Sequence, residues 1–84
     1  MVIYHTIRSK EGVSSPSLAR LTRWGVDHPQ PVTLFVKNKR ADAKSFREIM
    51  NLSFRKGEQV SLQISDATGE AAIASLTSIL NTYF

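Results

Sequence analysis

Four stretches of the chain have the residue pattern of short β-strands. In Val2–Ile7 apolar and polar residues alternate, and His5 falls on the same side as the isoleucines that would face a core. Val32–Val36 is a run of β-branched and aromatic residues, and Val60–Ile64 alternates again. Arg40–Ala43 is short and charged, which suits the edge of a sheet. The pattern therefore predicts four strands.

The connection between the second and third strands is predicted to be a tight turn at Lys37–Lys39. Asn38 is expected to adopt a positive φ there, because asparagine tolerates the left-handed region better than most residues. The third strand then returns along the second.

The first helix is predicted to start in the serine- and proline-rich residues 14–17. A serine hydroxyl accepts an orphan backbone N–H, and proline tolerates the first turn. Leu18 and Leu21 follow at helical spacing. Gly25 is expected at the C′ position just beyond the helix, because glycine readily takes the left-handed conformation required there.

The second helix begins with an S-x-x-E capping box. We expect the hydroxyl of Ser45 to accept the backbone N–H of Glu48, and the Glu48 carboxylate to accept the backbone N–H of Ser45. Phe46, Ile49 and Met50 give this short helix an apolar stripe.

The last helix is predicted to open after Asp66-Ala67-Thr68-Gly69 and to bury one apolar face. The residues of that face follow at helical spacing. They are Ile73, Leu76, Leu80 and Tyr83.

The predicted element order is β-α-β-β-α-β-α. Strands with one apolar face and three helices to cover it pack most economically as an antiparallel sheet with all helices on one side. We therefore expect an α+β, open-faced sandwich, in which residues 1–84 form a single domain.

Composition narrows the function classes. The 84 residues include no cysteine, which removes disulfides and thiolate chemistry and fits a reducing cytoplasm. No apolar run is long enough to span a membrane, and the first residues do not resemble a signal peptide. His5 and His28 are far apart in sequence, with His28 in an expected loop, and they form no metal signature. The net charge of +4, concentrated between Lys37 and Lys56, permits an anionic partner.

The stretch from Asp42 to Ser45, the helix that follows it up to Gly57, and the strand Val60–Ile64 resemble HPr, the histidine-containing phosphocarrier family of the bacterial sugar phosphotransferase system. The element order resembles that family along essentially the whole chain. The resemblance implies a four-stranded antiparallel sheet covered by three helices, in agreement with the periodicity.

In that family the phosphoryl group is carried by the histidine of a Gly-[hydrophobic]-His-x-Arg-Pro-Ala motif at the start of the first helix. Here residues 12–19 read GVSSPSLA. An ungapped match places Ser14 at the histidine and Pro16 at the arginine, whereas aligning the prolines places Val13 and Ser15 there. In both cases the imidazole and the arginine are missing, so Ser14 and Ser15 mark a vestigial acceptor position. A serine ester cannot pass phosphate onward usefully, and we expect no phosphocarrier activity.

The resemblance also implies a regulatory role for Ser45. In Gram-positive relatives a dedicated kinase phosphorylates this serine, and the product binds a transcriptional repressor. A phosphate at a helix N-terminus meets the positive end of the helix dipole. Glu48 departs from the glycine or lysine usual in the family, and in the predicted capping box it would face the added phosphate.

The implied function is binding or regulation by a cytoplasmic protein that is not an enzyme and needs no cofactor or metal. The implied partners are phosphotransferase-system components, a serine kinase or a transcriptional regulator, since surfaces of this family meet acidic patches on their partners. The partner surface is expected on the first two helices, at Arg20, Lys44, Phe46, Arg47 and Met50.

Two other functions remain open. The central basic residues alternate with Phe35, Phe46 and Phe54, as the phosphate track and stacking platforms of a nucleic-acid-binding module would. However, we expect these aromatic residues in the core, which makes nucleic acid the less favoured partner. The chain has no charged side chain from Ala71 to Phe84. An uncharged last helix would suit an adaptor that contacts a second copy or a partner helix.

Overall fold

Seven elements follow one another along the chain in the predicted order. The structure is a computed structural model that describes residues 1–84. The third strand begins and ends one residue earlier than the pattern predicts. The elements are β1 (Val2–Thr6), α1 (Ser15–Asp27), β2 (Val32–Val36), β3 (Lys39–Asp42), α2 (Phe46–Met50), β4 (Gln59–Ile64) and α3 (Glu70–Tyr83).

The four strands form one antiparallel sheet in the order β1-β4-β2-β3. In the middle of the sheet, Leu62 of β4 lies opposite Ile3 of β1 and Leu34 of β2. Residues directly opposite one another point to the same face, so these three side chains share the inner face of the sheet. The predicted α+β fold, a four-stranded antiparallel sheet with three helices, is confirmed.

The core lies between the inner face of the sheet and the helices and contains eighteen buried apolar residues. Each helix contributes a fully enclosed side chain, namely Leu21 of α1, Ile49 of α2 and Leu76 of α3. At the margins of the predicted face of α3, Ile73 and Tyr83 are half-buried. None of the helices combines the length and the apolar character needed to cross a membrane.

Gly25 lies inside α1, so the prediction that it occupies the C′ position was wrong. The helix continues to Asp27, and His28 caps it by donating its backbone N–H to the carbonyl oxygen of Gly25 at 3.2 Å. A Cβ atom at position 25 would lie 2.5 Å from the carbonyl oxygen of Ala43. The glycine is therefore needed for a close approach between α1 and the segment after β3, which local sequence cannot reveal.

The turn between β2 and β3 has its positive φ at Lys37 (54°), so the prediction for Asn38 was wrong. The Lys37 ammonium lies 3.7 Å from a carboxylate oxygen of Glu58. This contact reaches a segment twenty-one positions away, and the local turn pattern carries no information about it.

The three phenylalanines expected in the core divide between the two faces of the sheet. Phe54 is buried in the segment after α2, where its ring meets that of Phe84 edge-on, and Phe46 packs half-buried against the core. Phe35 lies opposite Ser61 and Arg40, on the outer face, because only Leu34 and Val36 of this part of β2 point inward. The prediction that Phe35 belongs to the core was wrong.

Candidate functional site

The N-terminus of α1 presents hydroxyl groups. Ser14 is the N-cap, and its Oγ accepts the backbone N–H of Ser17 at 3.4 Å and lies 3.0 Å from the Ser17 Oγ. Its carbonyl oxygen accepts the backbone N–H of Leu18 at 3.0 Å, which closes the first helical turn. Ser14 and Ser15 are both exposed. The position that the resemblance assigns to a phosphoacceptor is therefore an accessible helix cap made of hydroxyls.

The loop before α1 packs against the segment that leads into β4. Gly12 has a φ of 81°, and a Cβ atom there would lie 3.2 Å from the carbonyl oxygen of Phe54. The two segments border a cleft of about 570 Å³ that also reaches Met50 of α2. Both apolar and polar residues line the cleft, and its charged residues are Lys10, Glu11, Arg55 and Lys56.

The net charge of the molecule is concentrated at the end of the sheet beside this cleft. The end of β1, the β2–β3 turn and the start of β4 lie together here, because β1 and β2 run in the same direction and β4 runs opposite to both. Six of the eleven lysines and arginines lie here, with only two of the seven acidic residues, Glu11 and Glu58. Elsewhere the two signs balance, so the formal charge of +4 resides at this end. We call this the basic end, comprising Arg8, Lys10, Lys37, Lys39, Arg55 and Lys56.

Ser45 is the N-cap of α2, as predicted, but only one half of the capping box forms. The Ser45 Oγ accepts the backbone N–H of Glu48 at 3.2 Å. The Glu48 carboxylate instead accepts the backbone N–H of Asp42 at 3.1 Å, and the backbone N–H of Ser45 donates to the carbonyl oxygen of Asp42 at 3.0 Å. The predicted reciprocal bond from Glu48 to Ser45 was therefore wrong, because Asp42 supplies a partner to each group.

The five residues predicted as a partner surface lie on two sides of α1. Lys44 and Arg47 are exposed and make no ion pair. Lys44 lies just before α2, and Phe46, Arg47 and Met50 lie within it. Arg20 lies on the other side, with its guanidinium 4.6 Å above the centre of the Tyr83 ring. It borders a groove of about 540 Å³ between α1 and α3. Lys44, Phe46, Arg47 and Met50 thus form one group around α2, from which Arg20 is separate.

His28 lies at the opposite end of α1 from Ser14 and is buried. Its ring stacks on Trp24 with 4.9 Å between centroids, and its Nε2 lies 3.2 Å from the Oγ1 of Thr68. We expected His28 in a loop and did not predict this cluster. The spacing of four between Trp24 and His28 on a helix was the one local signal. The imidazole is committed to packing between α1 and the residues that precede α3.

His5 is half-buried on the inner face of β1, as the alternation predicted, and its Nε2 is buried without a hydrogen-bond partner. Burial lowers the pKa of the imidazole below its usual value, and the positive charge of Arg8 lowers it further, while the backbone of Phe84 acts in the opposite direction. The folded protein therefore favours a neutral ring at position 5.

This neutral histidine predicts how stability depends on pH. The unfolded chain binds a proton at position 5 near pH 6.5, whereas the folded protein does so only at lower pH. The contribution of neutral His5 to the free energy of unfolding is therefore fully present above about pH 6.5, and it is lost as pH falls toward the pKa of His5 in the folded protein. Urea unfolding at pH 7.5, 6.5, 5.5 and 5.0 should show the parent protein losing more stability than His5→Gln on acidification. Parallel curves for the two proteins would contradict the prediction.

The family model described as PTS HPr component phosphorylation site matches residues 5–82. No curated protein sequence matches the chain significantly. Among solved structures, HPr-C-His from Thermoanaerobacter tengcongensis is 23% identical with a TM-score of 0.83, and the match covers 98% of this chain and 92% of that one.

Two further structures have the same fold. The histidine-containing phosphocarrier protein of a Mycoplasma is 16% identical with a TM-score of 0.84, over 94% of this chain and 90% of that one. The phosphocarrier protein HPr from Bacillus anthracis strain Ames is 21% identical with a TM-score of 0.72, over 95% of each chain. At these identities the structures establish the fold, and the family model covers nearly the whole chain. This chain is a member of the PTS HPr family.

Proposed function

We propose that this chain is a regulatory binding protein of the phosphotransferase system that does not carry phosphate on histidine. The observation that supports the proposal is the N-cap of α1. The cap residue is Ser14, whose hydroxyl and not an imidazole accepts the backbone N–H of Ser17. Members of the family are phosphocarriers rather than enzymes, and they interact with other components of the system as protein partners.

The two imidazoles of the chain support this proposal by their positions. His28 is buried at the far end of α1, and thirteen helical residues at 1.5 Å each separate the two ends by about 20 Å. His5 lies within β1 and faces the core. A serine ester lacks the high transfer potential of a phosphoramidate, so phosphate on Ser14 or Ser15 would stay there instead of passing to a transporter component.

Phosphorylation of Ser45 is the regulatory step that we assign to this protein. Around Ser45, the carboxylates of Asp42 and Glu48 balance the side-chain charges of Lys44 and Arg47. A phosphate adds roughly −1.5 to −2 charge at pH 7, which makes the surface around α2 distinctly acidic. Its oxygens would lie at the N-terminus of α2 between two exposed cations. The modification thus makes a neutral surface negative without requiring a change of fold.

The partner in this proposal is a cytoplasmic protein with an acidic patch. The cleft beside α1 combines exposed Met50 with a rim that includes Lys10, Arg55 and Lys56. Apolar contact framed by cations suits a partner that is apolar at its centre and acidic at its edge. Phosphorylation at Ser45 would repel such a partner from α2, or recruit one that carries arginines, such as a transcriptional regulator.

The first experiment tests the switch. Incubation with an HPr serine kinase and ATP should place one phosphate on the protein, and Ser45→Ala should abolish incorporation. Ser14→Ala and Ser15→Ala are matched controls, because each removes a hydroxyl at the start of another helix, and both should be phosphorylated like the parent. Phosphopeptide mapping by mass spectrometry identifies the site. Equal incorporation into Ser45→Ala and the parent would remove Ser45 from the proposal.

The second experiment tests the loss of the relay. Incubation with phosphoenolpyruvate and the phosphotransferase enzyme that uses it should leave no acid-labile phosphate on the protein. An HPr that carries the histidine motif serves as the positive control. An acid-labile, alkali-stable phosphate that maps to His5 or His28 and passes to a sugar transporter component would overturn the proposal.

A further inference from the structure

Two tight turns lie side by side at the basic end of the sheet. The first joins β2 to β3 through Lys37, and the second runs from Arg55 to Glu58 just before β4. In the second turn, Glu58 donates its backbone N–H to the carbonyl oxygen of Arg55 at 3.0 Å, and its own carbonyl oxygen accepts the N–H of Ile7 at 2.8 Å. The Lys37 ammonium lies 3.7 Å from the Glu58 carboxylate. This ion pair and the backbone bonds hold the two turns in one arrangement.

A cleft of about 320 Å³ lies between these turns. Val36 is its one apolar lining residue, and Val36 is buried on the inner face of the sheet. Lys39 lies directly opposite Val36, so the cleft is on the same side of the sheet as the helices. We call it the turn cleft, and its polar residues are Lys37, Asn38, Lys39, Ser53, Arg55 and Glu58.

Positive charge exceeds negative charge in the turn cleft. Lys37, Lys39 and Arg55 contribute three cations and Glu58 contributes the one carboxylate, so the formal charge is three minus one, or +2. The Glu58 side chain is only 17% exposed and is the partner of Lys37. Lys39 and Arg55 are exposed and make no ion pair. The turn cleft therefore has two cations that are available to an anion.

A phosphate monoester matches this charge better than other small anions do. It carries roughly −1.5 to −2 charge at pH 7 and three strong acceptor oxygens, so that one group balances the excess charge and accepts bonds from several cations. A carboxylate has a single charge and two oxygens, and it would leave half of the excess unbalanced. Lysine and arginine both bind phosphate groups in proteins. We propose that the turn cleft binds the phosphate group of a small molecule through Lys37, Lys39 and Arg55.

The size of the turn cleft limits the ligand. A volume of about 320 Å³ is at the lower end of the range for small-molecule sites, which suits a single phosphate or a phosphorylated metabolite. The Ser53 hydroxyl and the Asn38 amide offer neutral hydrogen-bonding groups to the rest of such a ligand. This site goes beyond the regulatory proposal, because Ser14 and Ser45 cap helices and do not border the turn cleft.

Binding is measured by NMR, from the shifts of backbone amide signals during titration at constant ionic strength. The probes are inorganic phosphate, a hexose monophosphate and adenosine monophosphate. Binding of any of them, with shifts concentrated at residues 37–39, 53 and 55–58, supports the proposal, and the tightest of the three identifies the source of the phosphate group. No binding of any probe at about 10 mM would overturn it. Shifts concentrated elsewhere, or an equal response to acetate, would also overturn it.

The cations are tested with the double variant Lys39→Gln with Arg55→Gln. Both side chains are exposed, and Lys37 stays in place as the partner of Glu58, so the fold should be retained. The formal charge of the turn cleft falls from +2 to zero. The variant should bind the tightest probe roughly three- to thirtyfold more weakly than the parent. Unchanged affinity would overturn the proposal.

The matched control is the double variant Arg23→Gln with Lys44→Gln. It removes the same net charge, but neither side chain borders the turn cleft. At physiological ionic strength, where salt screens charges beyond about 8 Å, its affinity should differ from that of the parent by less than about twofold. Equal weakening in the two double variants would indicate attraction by net charge alone and would overturn the proposal.

Discussion

Gly25→Ala is expected to lower the free energy of unfolding by about 3 kcal/mol, at the upper end of the usual cost of overpacking. The added Cβ would lie 2.5 Å from the carbonyl oxygen of Ala43 and 2.7 Å from its carbonyl carbon. Both are backbone atoms, so relief requires α1 to move away from the segment after β3. For a domain of this size the loss corresponds to a fall in Tm of roughly 12–24 °C, measurable by calorimetry.

Gly69→Ser is the matched control for that variant. A Cβ atom at Gly69 meets no atom within 4 Å, and the residue is the N-cap of α3 without a side-chain hydrogen bond. Serine at an N-cap is better than glycine by a few tenths of a kcal/mol, so this variant should be slightly more stable than the parent. If Gly25→Ala unfolds at the same temperature as Gly69→Ser, the close contact between α1 and Ala43 does not exist in solution.

Leu62→Ala is expected to cost about 2–5 kcal/mol of stability. Leu62 is fully buried at the centre of the sheet, opposite Ile3 and Leu34, and its truncation leaves a cavity that the surrounding strands cannot fill. An 84-residue domain has a total stability of about 4–13 kcal/mol, so the variant loses a large share of it. Urea unfolding monitored by the fluorescence of Trp24 measures the change.

The next residue in β4 provides the control for Leu62→Ala. Gln63 is exposed on the outer face of the sheet, so Gln63→Ala should change stability by no more than about 0.5 kcal/mol. A large difference between these adjacent positions follows directly from the two-residue period of the strand. Similar costs at positions 62 and 63 would mean that the register of β4 differs from the one described here.

The fold was predictable because each element carries its own signal in the chain. The alternation in Val60–Ile64 and the β-branched residues in Val32–Val36 predicted two of the strands. The serines at the N-caps predicted where α1 and α2 begin. The failure at Gly25 has a tertiary cause, because the close approach of Ala43 is specified by no local pattern. Nothing in the structure explains why the positive φ falls on Lys37 and not on Asn38.

The candidate sites were predictable only where a residue acts through its local backbone. Ser45 was correctly identified as a helix cap, and the start of α1 was correctly placed among the serines of residues 14–17, because an N-cap bonds to the residue three positions on. The orientation of Glu48 was not predictable, because its competing partner, the backbone N–H of Asp42, lies in the preceding strand. Phe35 was assigned to the wrong face because a strand of five apolar or β-branched residues gives no alternation from which to choose.

The separation of charge along the sheet gives the molecule a permanent dipole moment, with its positive pole at the basic end. In the field of an anionic partner such a molecule is turned during diffusion, so that the basic end leads and more collisions are productive. Steering of this kind raises the association rate constant and leaves the dissociation rate constant nearly unchanged. Because salt shortens the range of the field to about 8 Å at physiological ionic strength, encounters should slow as salt is added while the lifetime of the formed complex changes little.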